Sequence, residues 1–341
     1  MSAQKSTIDR SWYAAHSPRL ATAPPAPAGP VPVPIAGPDR VSVAEVGAVR
    51  TARGLRSAFA VLERTSPVLG GALAERLWFH LPPVPDDERR NRRTPAGGEA
   101  FEVRRPGGVV RGRVYGHWGN PTAYLVHGWG GWWQQLAAHV EPMVAAGLCV
   151  VAADLPGHGD SGAGRHGRHS TDVVEMAQAL AAVVGEFGRP TIVVAHSLGA
   201  MAAVHAMRLG VRPQAYAFLA PPRSPHPMVR TFADQLGMGP RTSRVMRERI
   251  ERRAGIALDD LDLLGTAAEQ RSLPDLLLVH DRGDRETAAS GSVEIADAWH
   301  DARLLLTDGL GHRRLMWEPA VVERVTDWAV AAAAEVRRSS R

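Results

Sequence analysis

Six short apolar runs punctuate residues 122–307: TAYLV, LCVVAAD, TIVVAH, AYAFLA, LLLVHD and ARLLLT. Nearly every position in them is apolar, whereas a strand with one wet face alternates apolar and polar residues. Such runs are the habit of strands buried on both faces, as in parallel sheets covered by helices. Segments with helical periodicity separate several of them, and strands alternating with helices predict an α/β fold with a mostly parallel central sheet. Ahead of them, FEVRRPGGVVRGRVYG reads as a hairpin with a Pro-Gly-Gly turn. WWQQLAAHVEPMVAAG reads as a helix closed by Gly147. Ser170, Thr171 or Asp172 offers an N-cap for a helix running to Phe187, with Gly188 and Pro190 as stops. PAVVERVTDWAVAAAAEVRR is a final amphipathic helix.

One connection is too long. Fifty-five residues separate Ala220 from Leu276, whereas a parallel crossover needs only about a dozen. The surplus carries at least two helical patterns and predicts an inserted cap over residues 221–272, with the core formed by residues 94–220 and 273–341. Residues 1–45 read as a disordered tail, since 17–38 are rich in proline and alanine. In residues 46–93, Val46, Val49, Leu55, Phe59 and Leu62 recur at helical spacing, and a second apolar piece spans Val68 to Leu81. We read a pair of helices packed on the main domain. The alternative is an arginine-rich amphipathic surface lying on a membrane, which would give a weak membrane association. DDERRNRR is expected to be a solvated loop.

The balance of 45% hydrophobic and 22% charged residues over 341 positions is that of a soluble globular protein. The net charge of +5 is carried by arginine, Lys5 being the single lysine. No nucleic-acid motif accompanies this charge, so no nucleic-acid partner is expected. Cys149 is the one cysteine and sits in an apolar run, which excludes an internal disulfide and predicts a buried, inert thiol. The start of the chain lacks the apolar core of a secretory signal, and no apolar stretch reaches the ~18 residues of a membrane span. A cytoplasmic protein is expected.

In open α/β sheets ligands bind beyond the carboxyl ends of the strands, so what each strand delivers there decides the chemistry. TIVVAH delivers Ser197, within Ala195-His196-Ser197-Leu198-Gly199. Small residues two before and two after a serine suit a tight strand-to-helix turn, the nucleophile-elbow pattern. The serine is then a nucleophile, or simply a turn residue. TAYLV delivers His127-Gly128-Trp129-Gly130-Gly131, where the N–H of Trp129, with that of Leu198, would form an oxyanion hole. Trp132 and Trp133 either wall a substrate pocket or pack their helix on the core. LLLVH delivers Asp281 and, after a glycine, Asp284. Asp284 is our choice for a carboxylate orienting a histidine, with Asp281 as competitor. ARLLLT delivers His312 on a glycine-bounded loop, where a histidine suits a general base. Ser197, Asp284 and His312 thus follow the order Ser…Asp…His, each beyond a strand. His127, His158 and His196 flank glycine turns and read as loop-fixing hydrogen bonders.

The motifs HGWGG (127–131), DLPGHGDS (154–161), AHSLG (195–199), HDRGD (280–284) and GLGH (309–312) together resemble the α/β-hydrolase superfamily. In closer detail the chain is similar to capped bacterial hydrolases of the lysophospholipase and monoacylglycerol-lipase group. The resemblance spans residues 99–341 and implies Ser197 as nucleophile, His312 as base and Asp284 as acid. It also implies oxyanion donors at Trp129 and Leu198, a small-molecule acyl substrate, and no cofactor or metal. Dehalogenases and epoxide hydrolases of this fold place an aspartate at the elbow, so a serine leaves ester, thioester or amide acyl transfer. The expectation is a serine carboxylic-ester hydrolase whose cap sets specificity. Against it stand a non-catalytic binder that keeps the fold and a peripheral membrane lipase.

Overall fold

The computed structural model of the protein describes residues 45–84 and 92–339; the Pro/Ala-rich tail and most of the DDERRNRR run lie outside them. Helices α1 (Glu45–Thr65) and α2 (Pro67–Trp78) form an N-terminal hairpin. Strands β1 (Glu99–Arg105) and β2 (Gly108–Tyr115) follow as the second, antiparallel hairpin. The chain then alternates: β3 (Thr122–Val126), α3 (Val140–Ala145), β4 (Cys149–Asp154), α4 (Val173–Phe187), β5 (Ile192–His196), α5 (Leu198–His205) and β6 (Ala215–Leu219). Three helices interrupt it, α6 (Pro225–Leu236), α7 (Pro240–Ala254) and α8 (Leu263–Ala268). The alternation resumes with β7 (Asp275–Asp281), α9 (Ala289–Ala298), β8 (Arg303–Thr307), α10 (Gly311–Arg314) and α11 (Pro319–Ser339).

The eight strands form one sheet in the order β1-β2-β4-β3-β5-β6-β7-β8. β2 meets β4 antiparallel, and every pairing from β4 through β8 is parallel. The apolar runs are double-sided as expected. In β5, Val193 and Ala195 join the core under α4 and α5, while Ile192 and Val194 join the core under α3 and α11. At least one expected helix is built differently. Trp133–His139 is a 3₁₀ helix, and α-helical geometry begins only at Val140. Pro142 has no N–H to donate to residue 138, so it is tolerated only in the first turn of an α-helix, where the chain places it.

The N-terminal hairpin packs on the inserted helices more than on the main domain. Gly70 and Gly71 lie against α7 so closely that an added Cβ would approach Thr242 Cγ2 to 2.9 Å and clash with Val245. Gly239, at the start of α7, has no side chain to cap that helix. Glu63 of α1 does it instead, accepting from the N–H groups of Arg241 (3.1 Å) and Thr242 (2.8 Å). At the other end of α6, Arg56 donates to the carbonyls of Asp234 and Gln235, a cation where a helix terminus is negative. Glu75 is buried and pairs with Arg249 (2.6 Å) and Arg253 (3.1 Å) of α7. The hairpin's outer side leaves Val61, Val68 and Leu69 exposed. Among the described residues no helix is long and apolar enough to cross a membrane.

Candidate active site

Ser197 joins β5 to α5 with φ 50° and ψ −127°, a conformation that costs a non-glycine residue about 1–3 kcal/mol. The turn is held by its own N–H on Leu219 O (2.9 Å) and by Ala200 N–H on its carbonyl (2.9 Å). Glycine at 199 is a steric requirement, since a Cβ there would sit 2.5 Å from His127 O. The hydroxyl is not spent on the helix. Ser66, Asp172, Ser224 and Asp262 each cap a helix with their side chains, whereas Ser197 makes no such bond. The side chain stays half-buried, its Cβ 3.0 Å from where a Cβ on Gly128 would lie.

The loops after β7 and β8 bring His312 and Asp284 together, Nδ1 to Oδ2 at 2.7 Å, with both side chains buried. Since a carboxylate only accepts, Nδ1 carries the proton and Nε2 faces outward. Burial would raise the Asp284 carboxyl, but hydrogen bonds from His280, His312 and the Thr287 N–H outweigh it and hold the group far below the usual carboxylate range. Asp281 has another task. Its Oδ1 accepts from Gly283 N–H, and its Oδ2 from Thr307 Oγ1 and Leu310 N–H, all at 2.9 Å. It thereby ties down the loop that carries His312, and among the described residues it makes no hydrogen bond with that ring.

His196 connects the two halves of the site. Its Nε2 donates to the carbonyl of His312 (3.0 Å) and its ring lies 4.7 Å from the His312 ring. Burial pushes it down to about 3, so it is neutral. Ser197 and His312 make no side-chain hydrogen bond with each other among the described residues. His127 and His158 fasten loops: His127 Nε2 accepts from Leu155 N–H (2.9 Å), and His158 Nε2 accepts from Gly130 N–H (3.0 Å). Burial pushes His127 well down and His158 to about 4, which keeps both as acceptors. In the glycine-rich loop the N–H groups of Gly130 and Gly131 are thus taken, the latter by Gly128 O. Those of Trp129 and Leu198 donate to no acceptor among the described residues.

A cavity of about 950 Å³ opens beside this cluster, reaching Trp129, Leu198, Glu286 and Thr287. Its walls come from α2, from α6 and α7, and from the segment after β7. Trp132 and Trp133 do not line it. Both are buried, Trp133 against Tyr115 in the core under α3. One residue that sequence reasoning missed is His280. Its buried ring reaches Asp284 Oδ2 with Nε2 at 3.2 Å and Ser292 Oγ with Nδ1 at 2.7 Å. The signal was its spacing of four residues from Asp284 across a tight turn.

Comparison with known proteins places the fold. Solved structures that superpose on this chain include a thioesterase domain from the curacin biosynthetic pathway (TM-score 0.52, 16% identity, 69% of this chain and 99% of that one). Others are the haloalkane dehalogenase DbeA from Bradyrhizobium elkani (0.53, 18%, 70% and 100%) and a CIB-like hydrolase from Thermoplasma acidophilum (0.50, 16%, 69% and 99%). At these identities the likeness is one of fold. No curated protein matches the sequence. Residues 123–325, well over half of the chain, match the sequence model of the alpha/beta hydrolase family, and the chain belongs to that family.

Proposed function

We propose that the protein is a serine hydrolase that cleaves a carboxylic ester, or a related acyl bond, through an acyl-serine intermediate. The observation that carries this reading is the Asp284–His312 pair at 2.7 Å, set beside a strained Ser197 whose hydroxyl caps nothing. The neighbouring dehalogenase and thioesterase show that the fold alone does not choose a chemistry. The residue at the elbow does, and here it is a serine.

In this mechanism His312 Nε2 takes the proton of Ser197 Oγ as the oxygen attacks the acyl carbon. That hydrogen bond forms as substrate settles, since such contacts tighten in the Michaelis complex. Asp284 holds the ring in the Nδ1–H tautomer and stabilises the imidazolium. The uncommitted N–H groups of Trp129 and Leu198 receive the developing oxyanion, the second with the help of the α5 N-terminus. His312 then protonates the leaving group, and water, deprotonated by the same Nε2, releases the acid.

A fluorophosphonate probe tests the reading. The wild-type chain should be labelled, and Ser197→Ala should not. An unlabelled wild type, or equal labelling of both, would overturn it.

A further inference from the structure

We infer that the α1–α2 hairpin, which precedes the family-matched region, is a specificity-determining part of the site: Trp78 and Phe232 together form a wall that selects esters with a long or bulky apolar acyl group. The inference rests on the acyl-hydrolase reading above and names its substrate class.

The cavity, which reaches the Ser197 turn through Trp129 and Leu198, is lined by Leu77, Trp78 and Phe79 at the end of α2, and by Phe232 of α6 and Ile250 of α7. Its volume of about 950 Å³ lies near the top of the ~300–1,000 Å³ range of small-molecule sites. The Trp78 and Phe232 rings meet edge to face, centroids 5.3 Å apart at 81°. That geometry is the favourable one for an aromatic pair, and it ties the hairpin to the cap at the cavity wall. Trp78 is also held from behind, because Glu75, one turn earlier, is locked to Arg249 and Arg253. The close approach at Gly71 leaves α2 no room to slide on α7. Of the polar groups on the rim, Arg223 pairs with Glu294 (3.2 Å), and Asp172 with Arg165 and His166, while Arg230 and Arg285 also line the cavity.

An acetyl group on Ser197 would leave this apolar wall facing water. A longer acyl group covers it, and each methylene so buried should raise kcat/KM by about fourfold until the wall is filled. The hairpin therefore acts as half of a lid whose other half is the 221–272 insertion.

The test uses the full chain and p-nitrophenyl acetate, butyrate, octanoate and decanoate, with active sites counted by fluorophosphonate titration. Wild type should favour decanoate over acetate in kcat/KM. Trp78→Ala and Phe232→Ala should each lower that ratio by about tenfold, and Trp78→Phe should restore most of it. Because the two rings share one wall, the double variant should lose less than the product of the single losses. If Trp78→Ala does not titrate, Phe232→Ala, on the opposite element, carries the same test. A wild-type preference that is flat or falls with chain length overturns the inference, as does an unchanged ratio in a variant that titrates. Both outcomes leave the serine hydrolase standing, whereas an unlabelled wild type removes both readings.

Discussion

At Asp284 Oδ2 three donors converge: His312 Nδ1 at 2.7 Å, Thr287 Oγ1 at 2.9 Å and His280 Nε2 at 3.2 Å. His280 Nε2 also lies 3.2 Å from Thr287 O, so it faces two acceptors and must carry a proton. Its Nδ1 lies 2.7 Å from the buried hydroxyl of Ser292, so α9 orients His280. On the acyl-hydrolase reading proposed above, His280 is a positioning residue acting through Asp284. His280→Leu should lower kcat/KM by about tenfold and move the acidic limb of its pH profile upward, because a carboxylate with one donor fewer holds an imidazolium more tightly. His280→Gln, which keeps an N–H, should return the limb toward wild type. A purely structural role would change the amount of active enzyme and leave the profile in place. The sequence alone offered both Asp281 and Asp284, since both follow the strand end and spacing does not say where a side chain points. What separates them is hydrogen bonding: the Asp281 oxygens are consumed by Gly283, Thr307 and Leu310.

Among the elements, α7 depends most on a distant partner. Its first turn begins at a glycine, and the oxygens that satisfy its N–H groups come from Glu63, 179 positions from Thr242. Glu63→Ala should destabilise the protein by about 1 kcal/mol in urea unfolding, the ordinary cost of a lost cap. Glu63→Gln, which keeps an acceptor, should cost less; equal costs would mean that the cap contributes through its charge alone. Periodicity marked a helical pattern at residues 46–62 and an apolar piece at 68–81, of which Pro67–Trp78 is helical, and Phe59 of that first pattern is fully buried. It did not show against what they pack, because an apolar stripe is the same whether it meets a sheet or a cap. The 3₁₀ stretch at Trp133–His139 was hidden for another reason: apolar spacing there satisfies either helix, and only Pro142 marks where the pitch changes.

For the whole molecule, the buried histidines set a limit in acid. An ordinary histidine titrates at about 6.5. Burial pushes His139 and His158 to about 4, His196 to about 3 and His127 well below its ordinary value. Below that ordinary value the unfolded chain binds protons that the native protein refuses. The stability they contribute is present above pH ~6.5 and lost as pH falls, at about 1.4 kcal/mol per pH unit for each ring. Asp154, raised to about 6 by burial, works the other way and gains stability as pH falls from 6 toward its ordinary range. The histidines outnumber it, so the urea midpoint should drop steeply between pH 6.5 and 5; a midpoint that holds or rises there would contradict their burial as neutral rings. At this scale the sequence was most legible. Double-sided apolar runs implied a parallel sheet, and a crossover far too long implied an insertion. The strand order was not legible, because it depends on contacts between runs that look alike.

The pairing of hairpin and cap also has a consequence in time. The two halves of the lid lie some 178 positions apart, as the Glu75–Arg253 pair does, with six strands of the sheet between them. Contacts of such long range form late, after the intervening chain has folded. The hairpin precedes α7 in the chain and must wait, its Phe59 and Ala74 faces uncovered, until α7 exists. The lid can close once α7 is made, while β7, β8 and α11 are still to come. Asp284 and His312 lie further along the chain than α7, so the wall can stand before the pair beside it exists.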